Sequence, residues 1–358
     1  MRLAWIEVRD FRSYSEAALE VEPGLTVVVG SNGEGKTNLL EAMYYLCALE
    51  SPRVRNDLPL VRSGASSAFL RGELEAGGGR FLIEVEVRAS GQNRVLINRS
   101  PVRRKRDLRR HARAVFSGPD DLHVVSGEPD ERRRFMDEAA RGLWPLKEGV
   151  PAAYERALRQ RNRLLKDWEG GPAPQGLDAW DAELVARGSE LTALRRSAVQ
   201  AVAEPAAREF GRLSGDRLVV GYAPSVEGEP VEAAFGARLA ERRPEELIRR
   251  TTLVGPHRDD LALFVQGLAA RGFASHGEAW GAAVSLRLAL AGAVRAVAGE
   301  SPLTFLDDPF SALDPERRVR LAAGLGDRGQ TLMAVPDEAQ VPAGARVWYV
   351  KGGSVGTS

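Results

Sequence analysis

Apolar and polar positions follow three different rhythms along the chain, and each rhythm predicts an element. Leu3 to Val8 and Leu25 to Val29 read as short strands, the second a continuous β-favouring apolar run that enters a glycine loop at Gly30. Helix formers from Asn38 to Leu49 follow, so strand, loop and helix make one βα unit. Between 69 and 98 the segments FLRGELEA and RFLIEVEVRA alternate apolar and polar positions around Gly77, Gly78 and Gly79, which predicts an antiparallel hairpin with one wet face.

From about residue 128 to 215 the period changes to helical. Tyr154, Leu158, Leu164, Leu165 and Trp168 fall near one stripe after Pro151, which suits a first turn. EGGPAPQG at 169–176 breaks that helix, and a second follows through Trp180, Leu184, Leu191, Leu194 and Ala198 to an end near Pro205. A protruding hairpin arm and an ordinary helical subdomain both satisfy this pattern. Near residue 250 alternation returns as TLVG, LALFVQG, a helix from Glu278 to Ala298, the strand LTFLDD, a helix from Pro315 and a last strand TLMAV. The expected class is α/β: a head split between 1–119 and 250–358, carrying a β lobe around 65–100, with an inserted helical arm domain at 120–249.

At 358 residues, 44% hydrophobic and 28% charged, the chain is long and apolar enough for a large core and more than one unit. Fifty Lys and Arg against 49 Asp and Glu leave a net charge of +1, so attraction to nucleic acid has to come from local clusters. The single Cys47 excludes an intramolecular disulfide framework and a multi-cysteine zinc site. MRLAWIEVRDF contains no signal-peptide run and no later segment reads as a membrane span, so the expected location is cytoplasmic, without a membrane partner.

Gly30-Ser31-Asn32-Gly33-Glu34-Gly35-Lys36-Thr37 matches G-x-x-x-x-G-K-[ST] and lies between a strand and a helix, the context this phosphate loop requires. Glycines let successive N–H groups point at phosphate oxygens, and the helix N-terminus adds a favourable dipole. Lys36 is expected to reach the β and γ phosphates, and the Thr37 hydroxyl to ligate Mg²⁺; Asn38 continues the site. The predicted ligand is ATP with Mg²⁺.

A second element is Leu303-Thr304-Phe305-Leu306-Asp307-Asp308, a buried strand ending in paired carboxylates, where ligand sites of open α/β sheets sit. Asp307 would hold Mg²⁺ and Asp308 would polarise an attacking water, with a helix cap or turn as the structural alternative. Pro309-Phe310-Ser311-Ala312-Leu313-Asp314 follows at once and matches the D-loop of ABC-type ATPases. Upstream, Ser275-His276-Gly277-Glu278 opens a helix and resembles the ABC signature. There Ser275 and Gly277 would bind the γ-phosphate of nucleotide held by an opposite subunit; taken alone, the same four residues make an N-cap.

Lys36 and Asp307 stand most of the chain apart, unlike in compact transporter subunits, so something sizeable interrupts the head. Phe11 to Leu46, with TNLLEA after the phosphate loop, resembles the opening of the RecF family. Phe116-Ser117-Gly118-Pro119-Asp120-Asp121-Leu122, Gly127-Glu128-Pro129 with Arg132 and Arg133, and Leu253-Val254-Gly255-Pro256-His257-Arg258-Asp259-Asp260 resemble its later blocks in order. The resemblance implies an SMC-like ABC ATPase head with a short arm and an ATP-dependent homodimer. It also implies binding to double-stranded, gapped or junction DNA, and recombinational repair in which RecR and RecO help load RecA. Arg12 falls where related heads contact nucleotide phosphate, though a surface arginine fits equally. Ala279 and Trp280 depart from the polar residues usual after the signature, Glu278 replaces a common glutamine, and Asp308 replaces a common glutamate. No histidine follows Ala334-Val335-Pro336, so a weak, DNA-stimulated ATPase with slow turnover is expected.

Arg99, Arg103, Arg104, Lys105, Arg106, Arg109, Arg110 and Arg113 form the densest basic run, opposed only by Asp107. Contact with DNA phosphates and a solvated helix face are both open readings; no interleaved aromatic supports base stacking. His257, Arg258, Asp259 and Asp260 read either as a metal or acid/base cluster or as a turn with an internal ion pair. The competing functions are the ATP-driving subunit of a transporter and a P-loop phosphotransferase.

Overall fold

The computed structural model describes residues 1–357. Its central sheet has six strands in the order Ser354–Thr357, Arg346–Lys351, Leu25–Val29, Thr331–Val335, Leu303–Asp307, Ala114–Ser117. The last five are mutually parallel, and only the terminal hairpin strand runs antiparallel. Parallel strands are covered on both faces, which is why these segments are continuous apolar runs. Val28, Leu303, Phe305, Leu332 and Ala334 face the core beneath helix Lys36–Ala48, while Val27, Val29, Leu306, Met333 and Val335 face helix His276–Ala298 on the other side.

The β lobe is a second six-stranded sheet, antiparallel throughout, in the order Tyr14–Glu20, Arg2–Phe11, Ser67–Ala76, Gly79–Arg88, Arg94–Ile97, Ser100–Pro101. Its predicted hairpin pairs Ser67–Ala76 with Gly79–Arg88 in continuous register around Gly77 and Gly78. Alternate residues Leu70, Leu74, Ile83, Val85 and Val87 join the core around helix Lys36–Ala48.

Four helices dominate the middle of the chain: Pro129–Leu143, Gly149–Lys166, Leu177–Ser214 and Val231–Arg249. The third has 38 residues, about 57 Å at 1.5 Å per residue, and does not stop at Pro205 as the sequence predicts. Ala206, Phe210 and Leu213 continue its buried stripe, and that packing outweighs the roughly 3 kcal/mol a proline costs in a helix interior.

The boundary expected at 249/250 falls inside a folded unit. Leu218–Ala223 pairs with Asp260–Val265 residue for residue, and Leu268–Ala269 completes a three-stranded sheet that straddles it. One apolar cluster also runs from Val115 through the helices to Val294, so helix His276–Ala298 belongs to both the arm region and the head. TLVG is not a strand: it leads into the short turn Pro256–Arg258. A hairpin, Arg346–Lys351 with Ser354–Thr357, follows TLMAV, which is therefore not the last strand. Helix His276–Ala298 is long and apolar enough to cross a membrane, against the reading that no segment is; here it is a core helix, 67% of its apolar window buried.

Candidate nucleotide site

Loop 30–37 leaves strand Leu25–Val29 and opens helix Lys36–Ala48. Gly30 admits no side chain, because a Cβ there would stand 2.4 Å from the Val350 carbonyl oxygen. Gly35 takes φ 113°, a left-handed value, beside Tyr14, whose hydroxyl donates to the Gly35 carbonyl at 3.0 Å. The C-terminal hairpin fixes the loop from outside: Gly352 N–H donates to the Glu34 carboxylate, and Gly353 N–H donates to the Glu34 carbonyl at 3.2 Å. Ser31, Asn32 and Gly33 are left exposed at the tip.

Lys36 curls back over the loop and donates to the carbonyls of Gly30 at 2.6 Å and Ser31 at 3.0 Å. Burial lowers its pKa, opposed by Asp307, Asp308 and Glu34. Thr37 Oγ1 lies 3.0 Å from Asp307 Oδ1 and 2.9 Å from Oδ2, so the two remote motifs meet. Burial raises the pKa of Asp307, with the Thr37 hydrogen bond opposing it; burial likewise raises Asp308, against the attraction of Lys36. Asp308 adopts φ 49°, and its Oδ1 is buried without a hydrogen-bond partner.

Beside Thr37 and Asp307 opens a cleft of about 770 Å³ lined by Arg12, Arg53, Asp121, Glu138, Arg141 and Arg287 among others. Arg12 is in this wall, but its fork is engaged: Nε and Nη2 donate to Glu41 at 2.8 and 2.9 Å. Glu41 is fully buried and also accepts from Ser51 at 2.5 Å. Asn38 donates to Ser13 Oγ at 2.9 Å and accepts from Arg53 Nη1 at 3.2 Å.

Ser275 and Gly277 lie outside this cleft. Ser275 is the exposed N-cap of helix His276–Ala298; its Oγ accepts from Glu278 N–H at 3.3 Å, and the Glu278 carboxylate takes the Ser275 N–H at 2.8 Å and hydroxyl at 2.7 Å. These hydrogen bonds lower the pKa of Glu278. Gly277 sits against the D-loop segment, where a Cβ would be 3.3 Å from the Ala312 carbonyl oxygen.

The basic run splits. Arg109 is buried, donating to the Ala48 carbonyl at 2.7 and 3.1 Å and pairing with Glu50 and Glu148, while Lys105 donates to the Leu49 carbonyl at 2.5 Å. Both brace the C-terminal end of helix Lys36–Ala48, Arg109 from a buried position and Lys105 from an exposed one. Arg106 gives its backbone N–H to Glu148 at 3.1 Å. Arg103, Arg104 and Arg110 are exposed, with no ion pair among the described residues.

The block Gly255 to Asp260 is a turn, but its ion pairs are not internal. Asp260 accepts from Arg132 Nε and Nη2 at 2.6 and 2.9 Å; Asp259 accepts from Ser225 N–H at 2.7 Å and from Tyr222, with Arg195 at 3.6 Å. His257 stands 2.7 Å from the Tyr154 hydroxyl. The block therefore ties helices Pro129–Leu143, Gly149–Lys166 and Leu177–Ser214 to the small sheet. Among the described residues no group of three or more His, Cys, Asp or Glu could hold a metal.

Sequence reasoning gave no role to Arg287, Asp121 or Glu138. Arg287 is buried in helix His276–Ala298, donating to Asp121 at 2.7 and 3.0 Å and pairing with Glu138 at 2.7 Å. Its signal was a lone charge in the apolar run SLRLAL.

The family model described as the RecF/RecN/SMC N-terminal domain matches residues 2–341. A DNA replication and repair protein RecF from Kineococcus radiotolerans is 40% identical over 97% of this chain and 95% of its own length. The chain belongs to the RecF family. A second RecF, from Frankia alni, is 41% identical over 96% of this chain and 95% of its own length. A solved RecF–ATP structure, described as a recombination mediator of the RecFOR pathway, superposes with a TM-score of 0.90 at 24% identity, covering 99% of this chain and 97% of that one. The fold is accordingly that of an ABC/SMC-type ATPase head, in which the split α/β core, the β lobe and the inserted helices are all present.

Proposed function

We propose that this RecF-family chain binds ATP with Mg²⁺ on loop 30–37 and closes head to head with a second copy. The closed pair holds double-stranded, gapped or junction DNA during recombinational repair. The observation that carries the reading is the contact of Thr37 with both oxygens of Asp307, which joins the phosphate loop to the carboxylate strand.

The donors fit a hard cation. Thr37 offers a hydroxyl and Asp307 a carboxylate, the oxygen ligands magnesium prefers, with the rest of its shell left to phosphates and water. Bound Mg²⁺ would neutralise developing phosphate charge. Releasing the Gly30 and Ser31 carbonyls would free the Lys36 ammonium for phosphate oxygens. Asp308, at the strand end with a free buried oxygen, is the group to orient and deprotonate an attacking water. Arg12 holds Glu41 through Nε and Nη2, which leaves its Nη1 to serve phosphate.

Ser275 is exposed at a helix N-terminus with Gly277 half-buried beside it, which supports their use on nucleotide held by a second copy. Glu278 competes for the Ser275 hydroxyl and brings a carboxylate towards an anion. Closure is thereby weakened, and turnover should be slow, stimulated when DNA holds two heads together. Arg103, Arg104 and Arg110 are among the exposed members of the basic run and would meet DNA phosphates. By family resemblance the clamp cooperates with RecR and RecO in loading RecA, and acts in the cytoplasm.

Light scattering with Mg-ATP, with and without duplex DNA, tests the reading. Mass should double with wild type and stay monomeric with Ser275→Arg; a nucleotide that changes neither mass nor DNA affinity would overturn it.

A further inference from the structure

The helix capped by Ser275 touches the end of the carboxylate strand through one buried side chain. Trp280, 3% exposed, donates its indole N–H to the Pro309 carbonyl at 2.9 Å. Pro309 follows Asp308, the residue with left-handed φ and an unpartnered buried oxygen. Such a backbone persists only where its surroundings over-determine it. Here Asp308 N–H donates to the Ala334 carbonyl at 3.0 Å, and the Asp308 carbonyl accepts from Ser311 N–H at 3.3 Å. The indole fixes the next peptide unit.

We propose that Trp280 is a positioning residue for Asp308, so that the helix opened by Ser275 and the hydrolytic carboxylate of the same chain move as one. The inference rests on the reading that Asp308 serves ATP hydrolysis. Core filling alone needs only a large apolar ring, and this one belongs to the same apolar cluster as Leu306, Phe310 and Leu313. A buried indole N–H needs an acceptor, and the Pro309 carbonyl meets that need. The backbones also approach closely at a second point, since a Cβ on Gly277 would stand 3.3 Å from the Ala312 carbonyl oxygen. The first two turns of the helix thus grip both ends of segment 309–312, and a displacement at Ser275 is delivered to Asp308 along packed backbone.

Trp280→Phe keeps a ring and removes the donor; Leu288→Ala opens a cavity in the same helix and the same core and serves as the structural control. In nucleotide-free protein, Trp280→Phe should speed amide exchange at Ser311 and Leu313 about tenfold, the effect of one hydrogen bond, leaving Leu39 unchanged. In single-turnover assays it should slow hydrolysis about tenfold with ATP affinity kept within about twofold. Leu288→Ala should lower the melting temperature without either signature. Unchanged exchange at Ser311 and Leu313, or equal effects of the two variants on both readouts, would overturn the proposal. Absence of hydrolysis by wild type would instead sink the underlying function, and the exchange comparison would still decide whether Trp280 holds the segment.

Discussion

Thr37 and Asp307, 270 residues apart in sequence, share a hydroxyl proton across 3.0 and 2.9 Å. This contact holds a carboxylate where burial disfavours its charge, so the nucleotide-free site is poised at a cost to stability. A folded-state pKa raised above the unfolded one stabilises at low pH, and that contribution is lost as pH rises through the folded value. Asp307→Asn removes the penalty while keeping an acceptor for Thr37. Its melting temperature at neutral pH should exceed that of wild type, while Mg²⁺-dependent ATP affinity falls about 10- to 100-fold. Calorimetry with and without Mg-ATP checks both; a variant that melts earlier would show the charge to be stabilising.

The two halves of the basic run should separate under mutation. Arg103→Ala, Arg104→Ala and Arg110→Ala should leave thermal stability unchanged and flatten the salt dependence of duplex binding, by about 0.9 in log–log slope for each phosphate that is no longer neutralised. Arg109→Ala strands the Ala48 carbonyl and two carboxylates, so it should cost about 2–3 kcal/mol of stability. Salt titrations of DNA affinity, paired with urea melts, distinguish the classes.

The phosphate loop was legible because its eight residues are consecutive and the geometry they need is local. Asp307 was legible from the apolar strand before it. Lys105 and Arg109 were not separable from Arg103 and Arg104, since what distinguishes them is the carbonyl end of a helix more than fifty positions away. The partners of Asp259 and Asp260 were hidden for the same reason: Arg195, Tyr222 and Arg132 come from three other elements. Pro205 misled because a local breaker was weighed without the packing that overrides it. The C-terminal hairpin is a different omission, because RVWYVK and SVGT flank Gly352-Gly353, a turn signal visible in the sequence.

His257 supplies a pH signature. Burial pushes its pKa down to about 4, so the folded chain holds it neutral beside Tyr154. The unfolded chain protonates it near the ordinary value of about 6.5. Between these values the unfolded state binds the extra proton, and stability should fall with falling pH by about 1.4 kcal/mol per unit from this group. His257→Gln keeps hydrogen-bonding capacity and cannot charge. Its urea midpoint should drop less than that of wild type between pH 7.5 and pH 5; parallel losses would place the acid sensitivity elsewhere.

Arg161 tests whether the arm and the nucleotide site are energetically separate. Fully buried, it donates to Asp181 at 2.6 Å, to Glu246 at 2.7 Å and to Thr252 at 2.8 Å, tying helix Gly149–Lys166 to the segment that leads into the Gly255 turn. Arg161→Met preserves length and removes the charge, leaving Glu246 buried with only its Leu253 N–H contact at 2.7 Å. Breaking one side of such a network costs about 3–5 kcal/mol. Glu246→Gln combined with Arg161→Met should recover part of that loss, because no unpaired buried charge then remains. ATP binding by monomer should be unaltered in either variant, since none of these residues lines the cleft at Thr37. Equal stability of the single and double variants, measured by urea unfolding, would mean that the cost lies in packing around residue 161 rather than in the stranded carboxylate.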